Sequence, residues 1–366
     1  MADTEFRDSV REAEAFRSPY ELWKQDQGIP TLTGYYVENC YTQELVPWKE
    51  RGGSGIFVNL EGTGGFNDTY LYELSPKESS NPVRHIYDEL VYILKGQGAT
   101  SVWIDGKPKQ TFEWRERSYF AIPPNAFYQH HNLSGSEPAR YVAMTAAPRV
   151  IDTFKDYDFV FNNPWVFQER FNGEDGYFKE SERGGRGPWL TNFVADVMAS
   201  TPKPGAVTLE GRGGGTVATV FNMVNSTVRS HSQAWPVGTH STFHRHGPGI
   251  HVLLLRGGGY SLMGKDYTEL ERIDWGPGSM FVPPEMWFHA HFNTHADPAL
   301  FLAIGWGSDK PKAGGRQYVY KPVSEGGDQM TYEDEDPAIH AQFERELAAR
   351  GVKCQMGPIH PYCTQK

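Results

Sequence analysis

The chain has 366 residues, 39% of them hydrophobic and 14% aromatic, enough for two cores of ordinary domain size. Lys and Arg total 35 against 45 Asp and Glu, and the resulting net charge of −10 is a poor match for nucleic acid or an anionic membrane surface, though it leaves room for a local basic site facing an anionic substrate. No apolar run approaches membrane-spanning length, and the charged N-terminus MADTEFRDSVREAEAFRSPYELW lacks the apolar centre of a secretory signal, so a cytoplasmic location is expected.

Residues 1–65 are expected to hold a helix or two over 5–24, broken at Ser18-Pro19, and then the short β-like runs TGYYVENCYT and GIFVNLE, which add strands to one of the later modules. Glycine (39) and proline (25) are spread among short apolar runs along the whole chain, which favours an all-β barrel or sandwich of many short strands. A first module spans 66–150, centred on NPVRHIYDELVYILKGQGATSVWIDG. Residues 151–204 follow, with six Phe between Phe154 and Phe178; that is too apolar for a free linker, so this segment is expected to pack on a barrel or on a partner subunit. A second module spans 205–322. In the tail, 323–366, Asp336 and Pro337 start a short amphipathic helix that places Ile339, Phe343 and Leu347 on one face and stops at Gly351. That helix is expected to dock rather than to catalyse. The three cysteines, Cys40, Cys354 and Cys363, suggest neither a disulfide framework nor a zinc knuckle; reduced thiols are expected, with Cys354–Cys363 pairing as the alternative.

The second module repeats the first. Gly96/Gly257, Trp114/Trp275, Pro123/Pro284 and Asn132/Asn293 share one constant offset, and Pro138/Pro298 and Ala139/Ala299 differ from it by one residue dropped in a loop. A constant offset over four landmarks means two copies of one domain.

The chemistry concentrates in THSTFHRHGPGIHVLLLRGGG of the second copy. His244 and His246 are two apart in a strand and so share a face. A turn at Gly247-Pro248-Gly249 and a buried strand follow. His289 arrives later, in VPPEMWFHAHFN, and three neutral imidazoles form a metal set suited to iron, copper, nickel or zinc. His291 shares the face of His289 and is a candidate proton carrier or hydrogen-bond partner. Strand parity turns His251 outward and Arg256 inward. Arg256, with Arg245 and Arg84, is therefore a candidate for a substrate carboxylate, although surface charge is the ordinary role of each. Trp287, Tyr260 and Trp306 are core residues by default and pocket walls by alternative. Gly257-Gly258-Gly259 has no helix after it, so it is a barrel corner and not a phosphate loop. His231 and His240 carry no clear signal.

Both modules resemble a cupin, a small β-barrel with HxH, a glutamate and a glycine in its first motif and a Pro-turn, His and Asn in its second. The resemblance implies a duplicated double-stranded β-helix, a bicupin, and association into a homo-oligomer. At the repeat offset the first copy keeps His85 and Glu89 but has Val83 and Tyr128 at two ligand positions, and is expected to be structural and metal-free. The second keeps His244, His246 and His289 and has Ile250 at the glutamate position. That set is similar to the gentisate 1,2-dioxygenase group, two-cupin enzymes in which three histidines bind Fe(II). Here one extra residue separates Trp287 from His289, and the histidines fall in the C-terminal copy. The resemblance implies an Fe(II) dioxygenase taking a hydroxylated aromatic acid, or a related chelating oxyanion, together with dioxygen. The alternatives are a non-oxidative cupin, a lyase, isomerase or decarboxylase holding Mn, Ni or Zn, and a binding protein without turnover.

Overall fold

The computed structural model describes residues 17–181, 188–201, 213–223, 226–247, 249–306 and 321–365. Most of its regular structure is β. Three short strands come first: β1 (Thr31–Leu32), β2 (Tyr36–Val37) and β3 (Val46–Pro47). The first barrel contains β4 (Ser54–Val58), β5 (Asp68–Leu74), β6 (Glu89–Lys95), β7 (Gln97–Trp103), β8 (Gln110–Arg115), β9 (Tyr119–Ile122), β10 (Phe127–Asn132) and β11 (Ala139–Thr145). Two bridging strands follow, β12 (Trp189–Thr191) and β13 (Phe193–Val194). The second barrel contains β14 (Val217–Met223), β15 (Val228–Trp235), β16 (Ile250–Arg256), β17 (Gly259–Gly264), β18 (Glu271–Trp275), β19 (Met280–Phe281), β20 (Phe288–Asn293) and β21 (Ala299–Trp306).

Each barrel is a double-stranded β-helix of a large and a small sheet. The large sheets run β1-β4-β5-β11-β6-β9-β13 and β12-β14-β15-β21-β16-β19-β2; the small ones run β10-β7-β8 and β18-β17-β20. The registers repeat as well. Glu89 faces Thr145 across β6/β11, and Ile250 faces Gly305 across β16/β21; Asn132 faces Gly98, and Asn293 faces Gly259.

The near-continuous apolar runs of β6 and β16 have a simple cause: both faces are covered. Val91 and Ile93 point into the first barrel's core, whereas Leu90, Tyr92 and Leu94 pack in the core shared with the second barrel. In β16, Val252 and Leu254 point inward, and Leu253 and Leu255 join that shared core. Each such side chain contributes roughly 1.5–3 kcal/mol when fully buried. Gly257 turns the chain at φ +81, and a Cβ on Gly259 would stand 1.9 Å from the Phe292 carbonyl, so the glycine triplet is a barrel corner.

The N-terminal strands do not go to one barrel. β1 and β3 pair with β4 of the first, and β2 pairs with β19 of the second. The 151–204 segment likewise serves both, since β13 joins β9 and β12 joins β14. Ser18-Pro19 is a helix start and not a break. Ser18 Oγ accepts the Glu21 N–H and Glu21 accepts the Ser18 N–H, a reciprocal cap on the helix Pro19–Asp26. The residues expected to be helical before it, 5–16, lie outside the described residues. The tail helix is Pro337–Ala349, with Asp336 accepting the Ala338 N–H, Phe343 and Leu347 fully buried, and Gly351 at φ +67.

Candidate metal centre

Two backbone arrangements bring His244, His246 and His289 together. His244 and His289 form an isolated β-bridge: the His244 N–H donates to the His289 carbonyl at 3.1 Å, and the reverse bond is 2.9 Å. Directly opposed residues of an antiparallel pair carry their side chains on one face, and the two ring centroids are 4.2 Å apart. The His246 carbonyl accepts the Met286 N–H at 2.8 Å, which ties the HxH segment to the tight turn before β20; Met286 sits there at φ +60. The His246 and His289 centroids are 4.7 Å apart, and the ligand atoms of all three rings lie within 4.8 Å of one another.

Each ring is held in one tautomer. His244 Nδ1 lies 3.1 Å from the Thr242 carbonyl, His246 Nδ1 lies 2.8 Å from the Gly247 carbonyl, and His289 Nδ1 lies 3.0 Å from the Trp287 carbonyl. A carbonyl only accepts, so each Nδ1 carries a proton, and in the neutral ring the lone pair is on Nε2. All three rings are buried. In their neutral form these three imidazoles could hold a first-row divalent ion through Nε2. The segment is clamped from two sides. The Gly249 N–H donates to the Gly62 carbonyl of the first barrel at 2.8 Å, and Arg245 holds Asp328 of the tail at 3.0 Å.

His291 lies next to this set. Its ring centroid is 5.5 Å from that of His289, and it stacks on Trp235 at 4.4 Å. Its Nδ1 is 2.7 Å from Ser261 Oγ, which accepts the Trp275 Nε1–H at 2.9 Å. The first barrel repeats the network: His130 Nδ1 is 2.7 Å from Thr100 Oγ1, which accepts from Trp114 at 2.8 Å.

The first barrel's interior is filled differently. Arg51, from the segment before β4, inserts its guanidinium and donates to the hydroxyls of Tyr70 (2.8 Å) and Tyr128 (2.9 Å). Those hydroxyls in turn donate to Glu89 Oε1 at 2.8 and 3.1 Å, and His85 Nε2 lies 3.3 Å from Oε2. Burial pushes the Glu89 carboxyl up, but the His85 hydrogen bond and the Arg51 charge outweigh it and hold it at about 2. An organic cation thus stands where a metal would face Glu89. Nothing in the sequence around Arg51, WKERGG, marks it as interior.

The other singled-out residues fall elsewhere. Arg256 is exposed, with its Nε on the Pro298 carbonyl at 3.2 Å, away from the imidazole cluster. Parity fails there because the β16/β21 register shifts between Leu254 and Arg256. Arg245 is taken up by Asp328 and the Phe288 ring, and Arg84 by the Phe161 carbonyl and the Phe127 ring. His251 faces the first barrel, where its Nδ1 is 3.3 Å from Asn67 Nδ2. Tyr260 stacks on Phe292 at 4.6 Å in the core under the tail helix. Trp287 packs near Tyr35, at 5.8 Å, and His231 against Phe301. The Trp306 side chain lies outside the described residues.

Fold and cluster together define a two-barrel β protein of the cupin type, with its imidazole set in the second barrel. Residues 70–145, the heart of the first barrel, match the family model described as Cupin domain. No curated protein matches the chain. Among solved structures, the chain is similar to a mutant of Bacillus subtilis oxalate decarboxylase, at 13% identity over 75% of this chain and 78% of that one, TM-score 0.48. It is also similar to a Lactobacillus farciminis oxalate decarboxylase in complex with formate, at 12% identity over 75% and 86%, TM-score 0.49. A structure from a study of the Mn(II) centres of the Bacillus subtilis enzyme matches at 14% identity over 75% and 78%, TM-score 0.48. These three are oxalate decarboxylases and not ring-cleaving dioxygenases. Among the described residues, no helix is long and apolar enough to cross a membrane.

Proposed function

We propose that this chain is a metal-dependent enzyme that converts a small chelating oxyanion by non-oxidative chemistry, as a lyase, isomerase or decarboxylase. The observation that carries this reading is the convergence of three carbonyl-anchored imidazoles directly beside His291. His244, His246 and His289 would hold the ion through Nε2; manganese, iron, nickel and zinc all suit such ligands. When bound, the ion supplies Lewis acidity and a template with open positions. The protein contributes the charge balance. With Ile250 where a carboxylate would stand, no ligand offsets the positive charge, and the apolar wall strengthens its attraction for an anion.

His291 supplies proton chemistry. Ser261 Oγ accepts the Trp275 Nε1–H and lies 2.7 Å from His291 Nδ1, a contact that fixes the ring at the edge of the cluster. Loss of a carboxylate or migration of a hydrogen needs a proton placed next to the reacting carbon, and a buried imidazole is suited to deliver it. A second reading, an Fe(II) dioxygenase, is favoured by the same uncompensated three-imidazole set, which leaves room for a chelating oxyanion and dioxygen together.

The test is turnover under nitrogen and under air, with a panel of small hydroxy, keto and dicarboxylic acids and dihydroxy aromatic acids. The protein is loaded in turn with Mn(II), Fe(II), Ni(II) or Zn(II). Product formed without oxygen, and abolished in His246→Ala, is the expected result. Turnover that consumes oxygen and stops under nitrogen would replace this reading with the dioxygenase.

A further inference from the structure

We infer that the chain carries a second metal site, a structural zinc site formed by His240, Glu335, His340 and His360 where the tail packs on the outside of the second barrel. The four side chains are between 0% and 3% exposed, and their ligand atoms lie within 4.8 Å of one another. His240 Nε2 is 3.1 Å from His340 Nδ1 and 3.9 Å from Glu335 Oε1; His360 Nε2 is 3.1 Å from the same oxygen. Zinc bound at about 2.0–2.1 Å in a tetrahedron needs ligand atoms about 3.3 Å apart, so these spacings bracket the required edge. His340 and His360 stack at 3.8 Å, and closing on an ion calls for a small splay of those two rings.

The surroundings of His240, His340 and Glu335 fit ligation. His240 Nδ1 lies 3.0 Å from the Ser241 carbonyl, which reserves Nε2 for the ion. His340 Nε2 faces the Glu344 carboxylate at 3.7 Å, the carboxylate–imidazole arrangement that orients a ligating ring. Glu335 Oε2 is buried and has no hydrogen-bond partner among the described residues, an arrangement that costs free energy unless a cation answers it. The four ligands come from four separate pieces of chain: the run before the HxH segment, the turn preceding the helix, the helix Pro337–Ala349, and the stretch after it. That last stretch has no strand or helix over 351–365, yet Cys354, Met356, His360 and Cys363 are buried in it. A closed four-ligand site would hold this stretch to the barrel, as structural zinc does. Cys354, 3.9 Å from His340 Nε2, and Cys363, 3.6 Å from Cys354, lie on the far side of the His340 ring and are not ligands in this assignment.

The test uses the full chain, tag-free, stripped with a chelator and titrated with Zn(II) alone. Wild type should take up two ions per chain, and His246→Ala, whose barrel set is broken, should still take up one. In that background Glu335→Gln or His340→Gln should weaken the remaining site more than 100-fold, whereas Cys354→Ser with Cys363→Ser should retain it. Co(II) in the site should give an intense four-coordinate visible spectrum without thiolate charge transfer. No zinc in His246→Ala, or loss of the ion in the cysteine pair variant, would each overturn the assignment. None of these readouts depends on the barrel's reaction class.

Discussion

Arg51 Nη2 stands 4.0 Å from Glu89 Oε2 at the centre of the first barrel, where both side chains are almost wholly buried. The second barrel has Ile250 at the register position of Glu89 and three imidazoles in place of the guanidinium. One copy answers a buried carboxylate with a permanent internal cation; the other lacks the carboxylate, and on the function proposed above its imidazoles would hold an exchangeable cation.

Arg51→Met leaves Glu89 buried without its cation and should destabilise the chain by about 3–5 kcal/mol in chemical denaturation at pH 7. Arg51→Met with Glu89→Gln should recover part of that loss. The pH dependence has a definite sign. The folded carboxyl lies at about 2, below its ordinary 4.5, so its contribution is fully present above pH 4.5 and is lost as pH falls towards 2. Arg51→Met should flatten this part of the stability profile; an unchanged slope between pH 5 and 2 would mean that Glu89 is held ionised by other groups.

Ile250→Glu tests the register equivalence directly. A carboxylate here would complete the four-ligand pattern and offset the ion's charge. Metal affinity at the barrel site should rise by about 10-fold or more, and inhibition by small carboxylates should weaken by a similar factor. The metal-free variant should be less stable than metal-free wild type, because the new charge is half-buried among the three imidazoles and apolar side chains without a cation. Competition titrations with a chromogenic chelator read the first effect and thermal unfolding the last.

His291→Gln should lower kcat by about 10²–10⁴, the range for loss of a general acid or base, with metal content unchanged. His130→Gln, its counterpart beside Thr100 in the first barrel, should leave kcat unchanged. Equal losses in the two variants would assign both histidines to packing.

Much of the architecture was legible because the duplication is nearly free of insertions: the constant offset that pairs Glu89 with Ile250 and Asn132 with Asn293 is the register seen in the strands. The histidines of the second barrel were legible as a group because HxH places two rings on one face. Arg256 was misread because alternation holds only while the ladder is regular, and the bulge after Leu254 ends it. Arg51 left no trace, since a residue reaching a barrel interior from a preceding loop obeys no periodicity. The His240, Glu335, His340 and His360 cluster was equally silent: its members are spread over a long stretch of sequence and meet only once the tail has folded back.

Asn293 offers the most direct test of how the second small sheet is anchored. Its Nδ2 donates towards the carbonyls of Trp235 (3.0 Å), Pro236 (3.2 Å) and Asp297 (3.0 Å), and its Oδ1 accepts the His295 N–H at 3.0 Å. Asn132 makes the same set with Leu74, Ser75, Glu137 and Ser134. Both side chains are buried, so truncation leaves carbonyls without their donor, at about 1–3 kcal/mol for each acceptor stranded. Asn293→Ala should therefore lower stability by several kcal/mol, as should Asn132→Ala. Only Asn293→Ala should also loosen metal binding, because Asn293 ends the strand that carries His289 and His291. Parallel measurement of unfolding and of metal affinity in the two variants separates the effects, and equal metal affinity in both would show that the end of β20 does not position the imidazoles.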